Sequence, residues 1–172
     1  MMLSWKSWLS VLICLALLGG CGYHVAGKET HSPPGLKSVA IPTLKNQTLE
    51  PGIETHFTQA FLRQFIKDRR VNVVDRKEAD AVLEGTIKSF YLLSASYDRS
   101  GFATEFQTVV VMDVALKKRN GDVLWKESDF LERAWYRTSP SVVISEDNKQ
   151  NAIQKVAESV AERVVNRFFY DF

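Results

Sequence analysis

Cys21 is the residue of this chain best equipped for covalent chemistry. Directly after Leu18-Gly19-Gly20 it offers a sulfur for acylation, and the small residues before it let a peptidase reach the bond to be cut. Upstream, Lys6 and an apolar run from Leu9 to Leu18 complete a removable export signal. That run is too short to span a bilayer as a helix, which takes about 20 residues. The pattern predicts cleavage after residue 20, an acylated cysteine and tether over residues 21–35, and a single domain over residues 36–172. A multiply acylated cysteine holds a domain on its membrane at ~0.8 kcal/mol per buried CH2. Gly22 rather than Asp after the cysteine points to the outer membrane under the sorting convention of Gram-negative bacteria.

Little else in the sequence suggests reactivity. His24, His31 and His56 are isolated, and His56 with Glu54 reads as a solvated pair on one helical turn. Glu127 and Asp129, two apart on an expected strand, would sit ~7 Å apart on one face, the separation an inverting glycosidase uses. Carboxylates so placed are commonplace on solvated strands, and no nucleophile elbow, metal-binding helix or phosphate loop accompanies them. Cys14 leaves with the signal and Cys21 is consumed, so no disulfide, thiol catalyst or cysteine metal site is expected. With Lys6 also removed, 21 of the 22 basic residues face 20 acidic ones, which argues against a nucleic-acid binder. The expectation is a protein with no cofactor that is not an enzyme.

Removing 20 residues from 172 leaves 152, enough for one core, and 45% hydrophobic with 24% charged residues is ordinary globular composition. After the polar, proline-bearing stretch Ala26 to Gly35, a first strand is expected over Leu36 to Ile41, stopped by Pro42. Asn46-Gln47-Thr48 reads as a loop before a helix starting near Pro51, with Ile53, Phe57, Ala60, Phe61 and Phe65 forming its apolar stripe. Val71 and Val73 mark a short strand. Ala81 to Tyr97 and the alternating run Phe106 to Leu116 flank Asp98-Arg99-Ser100-Gly101, a long antiparallel hairpin. Asn120-Gly121 turns the chain into a further strand over Val123 to Tyr136, whose mixed parity predicts a bulge near Ser128. An unbroken stripe from Ile153 to Phe169 predicts a final helix with Ser145 as its N-cap. The order β-α-β-β-β-α predicts an α+β fold: two helices packed on one face of a mainly antiparallel four-stranded sheet.

The hairpin is longer than its core requires. Seventeen straight residues would extend ~56 Å. Phe90 and Leu92 fall on the parity that is polar lower down, at Glu84 and Lys88, so both faces look apolar near the tip. Two apolar faces predict a partner over one of them, with Tyr97 and Phe102 beside the turn. Val142-Val143-Ile144 repeats the signal, as a partner-binding loop or equally a buried edge strand.

Several segments, in order, resemble the LptE family of lipopolysaccharide-assembly lipoproteins: Cys21-Gly22-Tyr23-His24, Val39-Ala40-Ile41-Pro42 with Asn46-Gln47-Thr48, Ala79 to Gly85, Thr104-Glu105-Phe106-Gln107, Gly121 to Trp125 and Asp147 to Gln150. The resemblance implies a lipid-anchored outer-membrane protein that sits in a large β-barrel translocon (LptD-like), helps it assemble, plugs its lumen and contacts lipopolysaccharide. It also implies two helices on a four-stranded sheet. Basic residues are the family's proposed contacts to the phosphate-rich ligand. Arg99 matches one such place, while Glu146 stands where a second is expected. The other readings are a periplasm-facing lipoprotein subunit of another export or transport complex that binds no lipopolysaccharide, and, more weakly, a lipid-anchored hydrolase.

Overall fold

The computed structural model describes Pro33 and residues 35–171. The predicted signal, Cys21 and nearly all of the tether lie outside the described residues. The elements follow in the order β1 (Ser38–Ala40), β2 (Lys45–Asn46), α1 (Ile53–Asp68), β3 (Asn72–Val73), β4 (Ala81–Tyr97), β5 (Ala103–Lys118), β6 (Val123–Arg137) and α2 (Val142–Tyr170). The fold is α+β, with two helices covering one face of the sheet. The sheet is mixed and has six strands where four mainly antiparallel ones are predicted. β4, β5 and β6 form an antiparallel meander, while β1 pairs parallel with both β3 and β4, and β2 pairs parallel with β4.

β2 falls where a loop is expected, and Asn46 is the reason. Its amide donates to the Glu50 carbonyl and to the Glu54 carboxylate, and its Oδ1 accepts from the Thr48 N–H and hydroxyl. This Asx turn presses the segment onto β4, where the Gln47 N–H donates to the Ile87 carbonyl. Helix α1 begins two residues later than Pro51, because Gly52 takes the left-handed φ of 79° that the turn requires. One oxygen of Asp80 accepts from the Lys37 and Ser38 N–H groups and the Ser38 hydroxyl, which in turn accepts from the Asp80 N–H. This clasp seats the short β1 against the start of β4. The donors, led by the Lys37 N–H, hold the Asp80 carboxyl below its usual range.

Directly opposed residues of antiparallel strands share a face. The helix face of β5 is Leu116, Val114, Met112, Val110, Thr108 and Phe106, an unbroken alternation. Its neighbours do not keep theirs. β4 presents Leu83, Gly85 and Ile87, then takes an extra residue at Lys88 and continues with Phe90, Leu92 and Ser94. β6 presents Trp125 and Glu127, takes one extra residue where Ser128 and Asp129 together oppose Asp113 and Asp129 has φ 55°, and continues with Phe130, Glu132 and Ala134. Both bulges flank Asp113. Lys88 Nζ lies 2.9 Å from the Asp113 carboxylate and also pairs with Asp129, whose N–H donates to Asp113 at 2.8 Å. The bulge expected near Ser128 is present; the one at Lys88 is not signalled by any turn residue.

The core lies between this face and the helices: Phe57, Phe61 and Phe65 of α1, ten residues of α2 from Ala152 to Phe169, and the sheet residues above. The helices run side by side in one direction. Lys149 pairs with Glu50 at one end, and the Phe65 and Phe169 rings meet edge-on at the other, where Arg70 also stacks on Phe169. Gly85 lets Leu44 approach: a Cβ there would sit 2.6 Å from a Leu44 methyl carbon.

Gly85→Ala should therefore lower stability by about 1–3 kcal/mol, read as a drop in melting temperature. The Asp113 carboxyl is held below its usual range, by Lys88 first and then by the Asp129 N–H. Its contribution is fully present above the unfolded value near ~4 and is lost as pH falls through the depressed folded value. Asp113→Asn should flatten the acid limb of the stability curve and speed amide exchange in β4 and β6 around the two bulges.

Candidate functional site

The carboxylate pair considered from sequence is separated by the β6 bulge. Glu127 turns to the helix face and pairs with Arg167, whereas Asp129 turns to the other face and pairs with Lys88. Glu54 is engaged by Asn46 rather than paired with His56. Among the described residues there is no cluster of three or more metal-ligating side chains, and no helix is long and apolar enough to cross a membrane.

What does stand out is the half of the meander beyond the bulges, on the face that carries no helix. Three rows cross it: Ser89, Val111 and Leu131; Tyr91, Val109 and Arg133; Leu93, Gln107 and Trp135. Val109 is fully buried with no helix over it, because the larger side chains around it close above it. Those side chains are themselves open: Tyr91 is 42%, Leu93 48%, Leu131 38% and Trp135 54% exposed. Below the bulges the same face is charged, with Glu84, Lys117, Lys126 and Asp113 lining a shallow cleft of about 230 Å³ together with Arg76 and Lys45. The apolar rows are thus a confined patch rather than the general character of the face.

The patch continues around the end of the hairpin. Asp98 Oδ1 accepts from the Ser100 and Phe102 N–H groups, and Gly101 takes φ 83°, so the tip is a defined turn. Tyr97, Arg99 and Phe102 project from it, all exposed. Val142, Val143 and Ile144, which follow the end of β6, form the exposed first turn of α2, neither a loop nor an edge strand. The helix starts three residues before the expected cap. Ser145 lies inside it, donating from its hydroxyl to the Ser139 carbonyl and accepting from the Ser139 N–H, which folds the entry segment back on the first turn.

The sequence-predicted residues distribute unevenly over this region. Leu92, Tyr97, Phe102 and the three α2 residues are exposed, and Arg99 stands in the tip. Phe90 is half-buried and packs against the main core, because the bulge at Lys88 moves it to the helix face. The apolar side chains on the uncovered face are instead Tyr91 and Leu93, together with Leu131 and Trp135 of β6, which sequence reasoning did not single out. Their signal was the alternation of Leu131, Arg133 and Trp135, legible only once the β6 bulge is placed. Glu146 accepts from Gln150 and pairs with Lys149, and these bonds hold its carboxyl below the usual range. Burial works against the Lys149 charge, but Glu50 and Glu146 more than offset it and leave its pKa raised. Glu146 therefore serves the joint between α2 and the loop before α1.

A family model described as LptE: Lipopolysaccharide-assembly matches residues 36–168. No curated protein sequence matches the chain. Among solved structures, a lipoprotein B of Nitrosomonas europaea is similar at 14% identity and TM-score 0.54, over 83% of this chain and 87% of that one. The rare lipoprotein B of Shewanella oneidensis is similar at 13% identity and TM-score 0.52, over 76% and 92%. A putative lipoprotein of Caulobacter crescentus is similar at 10% identity and TM-score 0.54, over 74% and 89%. At such identities the likeness is one of fold. The exposed patch has its own physical test. A dye that brightens on apolar surfaces should bind the native protein, and replacing Leu93 and Trp135 together by Ser should remove most of that signal with little loss of melting temperature.

Proposed function

The chain belongs to the LptE lipopolysaccharide-assembly family, and from that membership we propose an outer-membrane lipoprotein, acylated at Cys21, that helps assemble and plugs the β-barrel translocon for lipopolysaccharide. Its role is binding rather than catalysis. The observation that carries this reading is the apolar patch on the uncovered half of the meander. Exposed side chains of this size, contiguous across three strands and continued by Tyr97, Phe102 and Val142 to Ile144, mark a surface that a partner covers. The charged region below the bulges fits the part left in water.

Contact with lipopolysaccharide is proposed at the tip. Arg99 is exposed in the turn, and a guanidinium forms paired hydrogen bonds with phosphate. Glu146, committed to Lys149 and Gln150, leaves the α2 joint without the basic side chain expected there. Arg99→Glu should weaken lipopolysaccharide binding severalfold without changing the melting temperature, and unchanged affinity would remove Arg99 from the contact.

The decisive experiment is purification of the full-length, tagged lipoprotein from detergent-solubilised outer membranes. The expected result is a co-purifying, heat-modifiable β-barrel in one-to-one ratio. If the lipidated protein comes out without a barrel but with periplasmic or inner-membrane proteins, it is a subunit of another transport complex.

A further inference from the structure

The meander leaves two long strand edges, and they are built differently. The edge of β6 is defended: it carries the Asp129 bulge and the charged residues Lys126, Glu127, Glu132, Arg133 and Arg137. The Thr138 N–H donates to the Thr104 carbonyl, which fixes the phase of the ladder and turns the backbone of Arg137 outward. The Asn148 amide covers that outward carbonyl. These are the devices by which sheets prevent unwanted strand addition.

Between its bulges at Lys88 and Ala95 the outer edge of β4 has no such defence. β1 and β2 occupy it only as far as Ile87, and among the described residues no strand lies along it beyond that point. From Ser89 to Tyr97 it contains no charged residue and no proline. Between the irregularities at Lys88 and Ala95, the segment Ser89-Phe90-Tyr91-Leu92-Leu93-Ser94 keeps regular register with β5. The loop Gln47–Glu50 leaves an open groove of about 510 Å³ along Lys88 to Leu92.

We propose that this edge pairs with itself: two copies of the free protein join β4 to β4 in antiparallel fashion. The occupant follows from symmetry and charge. A two-fold axis that joins two identical edges in this way stands perpendicular to the sheet, so each residue meets residues of its own face. Tyr91 and Leu93 of one copy then lie among Tyr91 and Leu93 of the other on one face, and Phe90 and Leu92 among Phe90 and Leu92 on the opposite face. Every such pair is uncharged, and aromatic and aliphatic cross-strand pairs are the favourable ones. The same construction on β6 brings Arg133 and Arg137 of one copy among those of the other, with like charges opposed. Pairing through β4 also joins the two uncovered patches into one surface. This inference concerns the protein before it meets any barrel and does not depend on that partner.

The test is sedimentation of the full-length lipoprotein, purified free of other proteins in a non-denaturing detergent, over a wide concentration range. The expected result is a reversible monomer–dimer equilibrium. Leu92→Lys, and separately Leu93→Glu, should weaken it at least about tenfold by setting like charges across the axis. Arg133→Glu on the defended edge should leave it unchanged. Melting temperatures check that each variant is folded, and the two β4 variants stand on opposite faces, so loss of one to misfolding leaves the other. A wild-type protein that stays monomeric at every concentration would overturn the proposal. So would a dimer indifferent to both β4 variants. A monomer that binds another protein through this edge, and loses it on Leu92→Lys, would assign the edge to that protein instead.

Discussion

Asp113 holds together the place where the sheet changes character. It sits on the central strand, which alternates without interruption, and takes a bond from each neighbour: the Lys88 ammonium on one side and the Asp129 N–H on the other. Each neighbour carries its extra backbone at that level. An added residue reverses which side chains face the helices. Two of them, placed symmetrically about an unbroken strand, let the meander remain a continuous ladder while its outer strands exchange faces. The core below is built from odd residues of β4, and above from even ones. Without the matched bulges, either Phe90 or Ile87 would face water.

That reversal explains how one face can be charged at one end and apolar at the other. The helices do not reach over the outer face, so its lower half carries ion pairs such as Lys117 with Glu84 and its upper half carries Tyr91, Leu93 and Trp135. The second helix contributes at the same end, since its first turn is apolar and lacks an acidic residue to meet its free N–H groups. Exposed apolar surface is thus concentrated where β4, β5, β6 and α2 all have a terminus. The joint formed by Lys149, Glu50 and Glu146 keeps these pieces in register with α1.

Much of this was legible in the sequence where the signal was local. The limits of β4, the turn at Asp98 to Gly101, the alternation of β5 and the stripe of α2 all follow from spacing and turn chemistry. The β6 bulge announced itself through broken parity. The bulge at Lys88 did not, because Tyr91 and Leu93 continue an apolar run on odd positions and so mimic an unbroken strand. Phe90 and Leu92 were singled out for a face they do not occupy, although two apolar faces near the tip are indeed present. β2 was not legible for another reason. It is two residues long and is held by the Asn46 side chain rather than by its own pattern, whereas the strands that became β1 and β3 were signalled by Val39, Val71 and Val73.

The placement of α2 at the end of the chain bears on how the molecule comes to be folded. The meander is built from hairpins, whose contacts close over short sequence distances and form early. Its helix face, however, is completed by ten buried residues of α2, from Ala152 to Phe169. A chain appearing N-terminus first therefore displays an uncovered apolar sheet, with an open β4 edge, until those residues arrive. Such an interval is when sheets aggregate. The last helix acts as a lock on the fold, and the chain needs protection until it closes.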